Sequence, residues 1–139
     1  MSIAKDRRSR ILTRDLGSPA LGTTTAVKTA VTDNGEEQEI TTGITNPPTP
    51  RNLTATSGGT ANDIGAIQVT VEGTNEFDEV ISETLPVFTA NSATTVVGSK
   101  AFKTVTSITI PAHDGTGATT AIGLGSKLGL GVELERDTI

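Results

Sequence analysis

Short alternating runs of Val, Ile and Thr, separated by polar turns, dominate the chain from residue 23 onward. Residues 65–73 put Ile67, Val69 and Val71 on one side and Gln68, Thr70 and Glu72 on the other. This period of two belongs to a strand covered on one face. Residues 101–110 repeat it: Phe102, Ile108 and Ile110 share a face with Thr104 and Thr106, and Val105 lies opposite. No window carries an apolar stripe of helical period over three turns. Strands are expected at 23–32, 36–45, 52–57, 65–73, 79–88, 94–98, 101–110, 118–123 and 127–134. With turn signals about every ten residues, that spacing predicts an all-β chain: an antiparallel β-sandwich or small barrel, Ig-like in kind.

The punctuation between these runs sets the expected organisation. Asp33-Asn34-Gly35 is a tight-turn signal because Asn-Gly tolerates positive φ, so 23–32 and 36–45 are expected to pair as a hairpin. Pro47, Pro48 and Pro50 remove backbone donors and predict an extended linker. Ahead of the first strand, Gly17, Pro19 and Gly22 interrupt any helix and leave 1–22 as an extended arm. Three segments follow: a basic N-terminal arm (1–22), a β-hairpin extension with its Pro-rich linker (23–49) and a β-sandwich domain (50–139).

Composition strengthens the β assignment. Hydrophobic residues make up 34% of 139, and the aromatics are three Phe with no Trp or Tyr, so β-branched aliphatics must fill the core. Thr is the commonest residue; its branched side chain suits a pleated surface while its hydroxyl meets water. Without cysteine there is neither a disulfide framework nor a thiolate metal site. A thin core without staples favours oligomerisation or docking on a larger scaffold. No segment has the length of a transmembrane helix and no apolar signal core is present, so a soluble product made in the cytoplasm is expected.

Charge is divided unevenly. Residues 1–15 carry five basic and two acidic side chains, a net of +3, while the whole chain stands at −5. A basic arm on an acidic body reaches an acidic partner surface or nucleic acid, or it is a solvated tail or a first strand with charged edges. Ile3, Ile11, Leu12 and Leu16 give the arm something to bury.

Candidate chemistry is sparse. The only histidine, His113, stands beside Asp114, but adjacent residues rarely face each other and Asp114-Gly115 is explained by a turn. Glu72, Glu76, Asp78, Glu79 and Glu83 offer carboxylate oxygens of the kind Ca²⁺ takes, but without the EF-hand spacing and with Phe77 between them; a solvated hairpin tip accounts for them. The glycines of 115–131 lack the GxxxxGK[ST] spacing of a phosphate loop. The sequon Asn52-Leu53-Thr54 has meaning only in a secreted eukaryotic protein. Sugar and single-stranded nucleic-acid sites rely on aromatic stacking, for which this chain has little material, and a duplex-binding patch needs more basic charge than the arm supplies. No catalytic residue, metal or cofactor is expected.

The segments GTNEFDEVISETLPVF (73–88) and VVGSKAFKTVTSITIPAHDGTGATTAIG (96–123) resemble a pattern of tailed-bacteriophage virion proteins. There a "GTn…G…iTET" hairpin precedes a "t.KaFktVtSIti" strand. The match is good over Gly73–Thr84 and Gly98–Pro111 and looser over the rest of 50–139; Asp78 or Glu79 stands where the pattern carries a glycine. The resemblance implies a non-enzymatic β-sandwich component of the virion, a head decoration (cement) protein bound to the outer capsid. Its partners would be the major capsid protein or other virion subunits, and by analogy it would be a trimer. No membrane and no specific nucleic acid enter this scheme. Lys5, Arg7, Arg8, Arg10, Ile11, Leu12, Arg14 and Leu16 would form the capsid anchor. The alternatives are a tail, neck or baseplate component, in which the 23–45 hairpin adds a strand to a neighbour, and a host-glycan adhesin.

Overall fold

The structure is a computed structural model and describes residues 19–129. Among the described residues eight strands run β1 (Lys28–Thr32), β2 (Gln38–Ile40), β3 (Arg51–Gly59), β4 (Thr70–Thr74), β5 (Val80–Thr84), β6 (Thr95–Phe102), β7 (Thr104–Ile110) and β8 (Ala118–Leu128), with a 3-10 turn at Ala61–Asp63. They form two four-stranded sheets, ordered β1-β8-β3-β6 and β2-β7-β4-β5, and every pairing is antiparallel. The chain is an all-β sandwich.

Between the sheets lies an aliphatic core with two phenylalanines. Leu53 and Ala55 of β3, Val71 of β4, Ile108 of β7 and Ile122 of β8 are fully buried, together with Leu85, Phe88 and Phe102. Val69 and Val71 point inward and Ile67 packs at the margin, as the alternation at 65–73 predicts. Phe77 is 50% exposed, so the third phenylalanine is not core material.

Three expectations are corrected. First, the hairpin of 23–32 with 36–45 does not form: β1 pairs with β8 in one sheet and β2 with β7 in the other. Of the Asn-Gly pair only Gly35 takes positive φ, at 85°. Asp33 Oδ2 accepts the Gly35 N–H at 2.9 Å and Asn34 Oδ1 the Glu36 N–H at 3.0 Å. These side-chain bonds build a loop that carries the chain across the sandwich rather than a two-residue hairpin.

Second, Val105 shares the core face with Ile108 and Ile110. A bulge in β7, where Glu72 faces Ser107 but Gly73 faces Val105, leaves Thr106 unpaired and reverses the parity of the strand.

Third, 118–123 and 127–134 are not separate strands in the part described, because β8 runs unbroken from Ala118 to Leu128. Its glycines mark close approach, not turns. A Cβ on Gly123 would run into the backbone of Thr23 and Thr24, and one on Gly125 into the side chain of Asn52.

At the hairpin tip between β4 and β5, Asp78 takes the left-handed conformation (φ 60°) where the resembling pattern carries glycine. Asn75 makes that conformation tenable: its Oδ1 accepts the N–H groups of Phe77 and Glu79 at 2.9 and 3.0 Å. Asx side chains that bond the backbone ahead of them stabilise such turns.

Candidate functional site

The expected capsid anchor, Lys5, Arg7, Arg8, Arg10, Ile11, Leu12, Arg14 and Leu16, lies outside the described residues. The described part of the arm is Pro19–Gly22, and it is fastened to the body at its root. Arg51, at the start of β3, donates from Nη1 to the Ala20 carbonyl and from Nε to the Gly125 carbonyl, both at 2.8 Å. Leu124 N–H adds a bond to Thr23 O at 2.8 Å.

The next residue organises both neighbouring strands. Three residues of β8, Gly125–Lys127, stand opposite the single Asn52, and three of β6, Gly98–Lys100, stand opposite Leu53. Asn52, 1% exposed, reaches both bulges: Nδ2 donates to Gly98 O and Oδ1 accepts Lys127 N–H, each at 2.8 Å. A side-chain amide has one donor end and one acceptor end, and here each end satisfies a backbone group that the bulge removes from the ladder. Beside this pair a cleft of ≈ 150 Å³ is lined by Arg51, Pro19–Gly22, Ser126 and Leu128.

On the far side of the bulge in β6, the Glu83 carboxylate accepts Ser99 N–H at 2.7 Å, Ser99 Oγ–H at 2.8 Å and Lys100 N–H at 3.1 Å. Lys100 Nζ returns a bond to Ser82 O at 2.7 Å. β5 and β6, the outer strands of opposite sheets, are thereby joined by side chains. A second cavity, ≈ 270 Å³, opens next to this clamp between Phe77, Ile81, Ala101 and Gly129.

The remaining carboxylates of the acidic cluster are engaged separately. Asp78 pairs with Lys103 at 2.8 Å, Glu79 accepts from Asn75 Nδ2 at 2.9 Å, and Ser107 Oγ lies 3.4 Å from Glu72. Among the described residues no three metal-binding side chains converge on one point.

His113 is a buried structural residue. Gly65 N–H donates to Nδ1 at 3.2 Å, which leaves the ring proton on Nε2, facing Thr120 Oγ at 2.8 Å. Phe88 stacks on the ring at 6.0 Å between centroids, and His113 N–H donates to Asp33 Oδ1. Burial pushes the imidazole below its ordinary pKa, against the opposing pull of Asp33 and Asp114. A general base needs a free lone pair toward its nucleophile; both nitrogens here are committed, and Thr120 meets the one that carries the proton. The ring joins the Gly65 loop, Phe88 and β8, while the backbone N–H of the same residue holds Asp33.

Sequence reasoning missed Arg51, and it read Asn52 only as part of a sequon and Glu83 only as part of a solvated hairpin tip. The available signal was the polar pair Arg51-Asn52 opening a strand whose later positions alternate normally. Comparison with protein-family models, curated proteins and solved structures returns no match. No helix among the described residues is long and apolar enough to cross a membrane.

Proposed function

We propose that this chain is a non-enzymatic structural protein of a tailed-bacteriophage virion, a head decoration (cement) protein that binds the outer capsid through its N-terminal arm and stabilises the shell. The observation that carries this reading is where the resembling segments fall. Gly73–Thr84 forms the β4–β5 hairpin and Gly98–Pro111 the bulge of β6 with β7; Glu83 of the first bonds Ser99 and Lys100 of the second. The wording that resembles virion proteins is therefore the wording of a load-carrying seam in the sandwich. An acidic body supports the reading, since like charges keep particles apart. Cementing itself requires only area buried across neighbouring subunits. Localisation on the virion, with synthesis in the host cytoplasm, and a homotrimer follow from the same resemblance.

The test is co-sedimentation with capsids, followed by locating the protein on the particle by electron microscopy. A truncation before Pro19 keeps the Ala20–Arg51 and Thr23–Leu124 bonds and should leave a folded β domain that no longer binds. Binding of the full chain should weaken as salt rises, because Arg7, Arg8, Arg10 and Arg14 would meet carboxylates. A truncated chain that still saturates capsids defeats the anchor assignment. A few copies at one vertex would instead make the protein a tail, neck or baseplate component.

A further inference from the structure

Asn34 and Gly35 are exposed in the loop between β1 and β2, and the groups around them are held in fixed positions. Asp33, 5% exposed, is engaged at both carboxylate oxygens: Oδ1 accepts His113 N–H at 3.1 Å and Oδ2 accepts Gly35 N–H at 2.9 Å. From the other side Glu36 N–H donates to Asn34 Oδ1 at 3.0 Å, so the Asn34 side chain closes a ring across Gly35.

These contacts supply what an intramolecular acyl transfer needs. A backbone nitrogen is a weak nucleophile until a base takes its proton, and the Asp33 carboxylate lies on that proton. Attack on the side-chain amide puts negative charge on its oxygen, and an N–H already aimed at that oxygen stabilises it. Gly35 has no Cβ to shield its nitrogen. Burial and the His113 N–H keep the base in place.

We propose that Asn34 is a self-modification site: in the folded chain Gly35 N attacks Asn34 Cγ, and the amide becomes aspartate and isoaspartate through a cyclic imide. The bond formed is Gly35 N to Asn34 Cγ, and the bond broken is Cγ to Nδ2. The proton of Gly35 N passes to Asp33 and on to the departing nitrogen, which leaves as ammonia. One water then opens the imide at either carbonyl, and nothing is oxidised or reduced. The product adds a carboxylate to a loop that already holds Asp33, Glu36 and Glu37. In the isoaspartyl form it also lengthens the main chain between β1 and β2, at the crossing from one sheet to the other. Age of the molecule is thereby written into the crossing, with water as the sole co-reactant.

Incubation of the full chain in heavy-oxygen water at neutral pH tests this. Peptide mass spectrometry reads label at residue 34, and an isoaspartate methyltransferase assay separates the two products. Conversion should run about tenfold or more faster in the folded chain than in the same chain unfolded in guanidinium chloride, since a positioned base contributes at least that much. Asp33→Asn keeps the shape and removes the base; with a native thermal melt it should slow conversion about tenfold or more. Should it fail to fold, the folded-to-unfolded ratio of the wild type decides. Asn75 Oδ1 also accepts the N–H two residues ahead, but the next residue, Glu76, carries a Cβ; Asn75 should stay an amide in the same digest. A folded chain that converts Asn34 no faster than the unfolded one overturns the proposal, because the Asp33 bond then merely holds the loop. So does a folded Asp33→Asn chain that converts at the wild-type rate or faster. Label without isoaspartate means direct hydrolysis instead of attack by Gly35, and equal conversion at Asn75 means exposure alone sets the rate; either result refutes the assignment.

Discussion

Asn52 makes a quantitative prediction because each end of its amide has one identified partner. Asn52→Ala removes the bonds to Gly98 O and Lys127 N–H. Each is worth about 1 kcal/mol net, and stranding a buried backbone group adds about 1–3 kcal/mol. Gly98 is buried whereas Lys127 is exposed, so only the carbonyl incurs the full penalty. The sum is about 3–5 kcal/mol, which for a domain of this size lowers the melting midpoint by roughly 10–15 °C.

Asn52→Asp separates the two ends. Its shape is conserved and the Lys127 N–H keeps an acceptor, but the donor facing Gly98 O is lost. Burial and the facing carbonyl raise the folded-state pKa of the introduced carboxyl above its unfolded value of about 3.9. The penalty should be full at neutral pH and shrink as pH falls through that raised value, where the acid proton can donate to Gly98 O. Urea denaturation followed by circular dichroism at several pH values reads both variants. An Asn52→Ala cost below about 1 kcal/mol, or an Asn52→Asp penalty that is flat with pH, would refute the bridging role.

Other consequences can be measured in the same way. Because the folded-state pKa of His113 lies below its ordinary 6.5, its contribution to stability is whole above that pH and is lost as pH falls toward the depressed value; denaturation midpoints should drop in that window for the wild type and less for His113→Gln. Gly123→Ala must displace Thr23 and Thr24 from the face of β8, and a cost under about 1 kcal/mol would show that this crossing is loose. Glu83→Ala should accelerate hydrogen exchange at the Ser99 and Lys100 amides while leaving β3 protected; unchanged exchange would remove the clamp from the account.

The strands were legible because their inward positions, such as Val69 and Val71, follow a strict period of two. What escaped were the places where long-range partners override local rules. Asn34-Gly35 has the wording of a hairpin turn, but Asp33, itself bonded to the distant His113, diverts the chain into the opposite sheet. The glycines of β8 look like turn residues until Asn52 and Thr24 are seen to press on them. Val105 was misplaced by a bulge that nothing in TVTSITI announces. The proposed anchor was visible only as a pattern of charge, whereas Arg51 was hidden, since an arginine next to a proline-rich segment reads as solvent-exposed.

The Glu83 clamp has a consequence for how copies of this protein meet. Outer strands with unpaired backbone groups invite a strand from another molecule, the usual route to uncontrolled stacking. Here the Ser99 and Lys100 amides of β6 and the Ser82 carbonyl of β5 are already occupied by side chains. On the opposite flank β2 is only Gln38–Ile40 and β1 carries an irregularity between Lys28 and Val31. Each flank is thus a poor template for ladder growth. A protein built this way can be crowded on a surface without zipping into fibres, and its contacts with neighbours fall to chain ends and clefts.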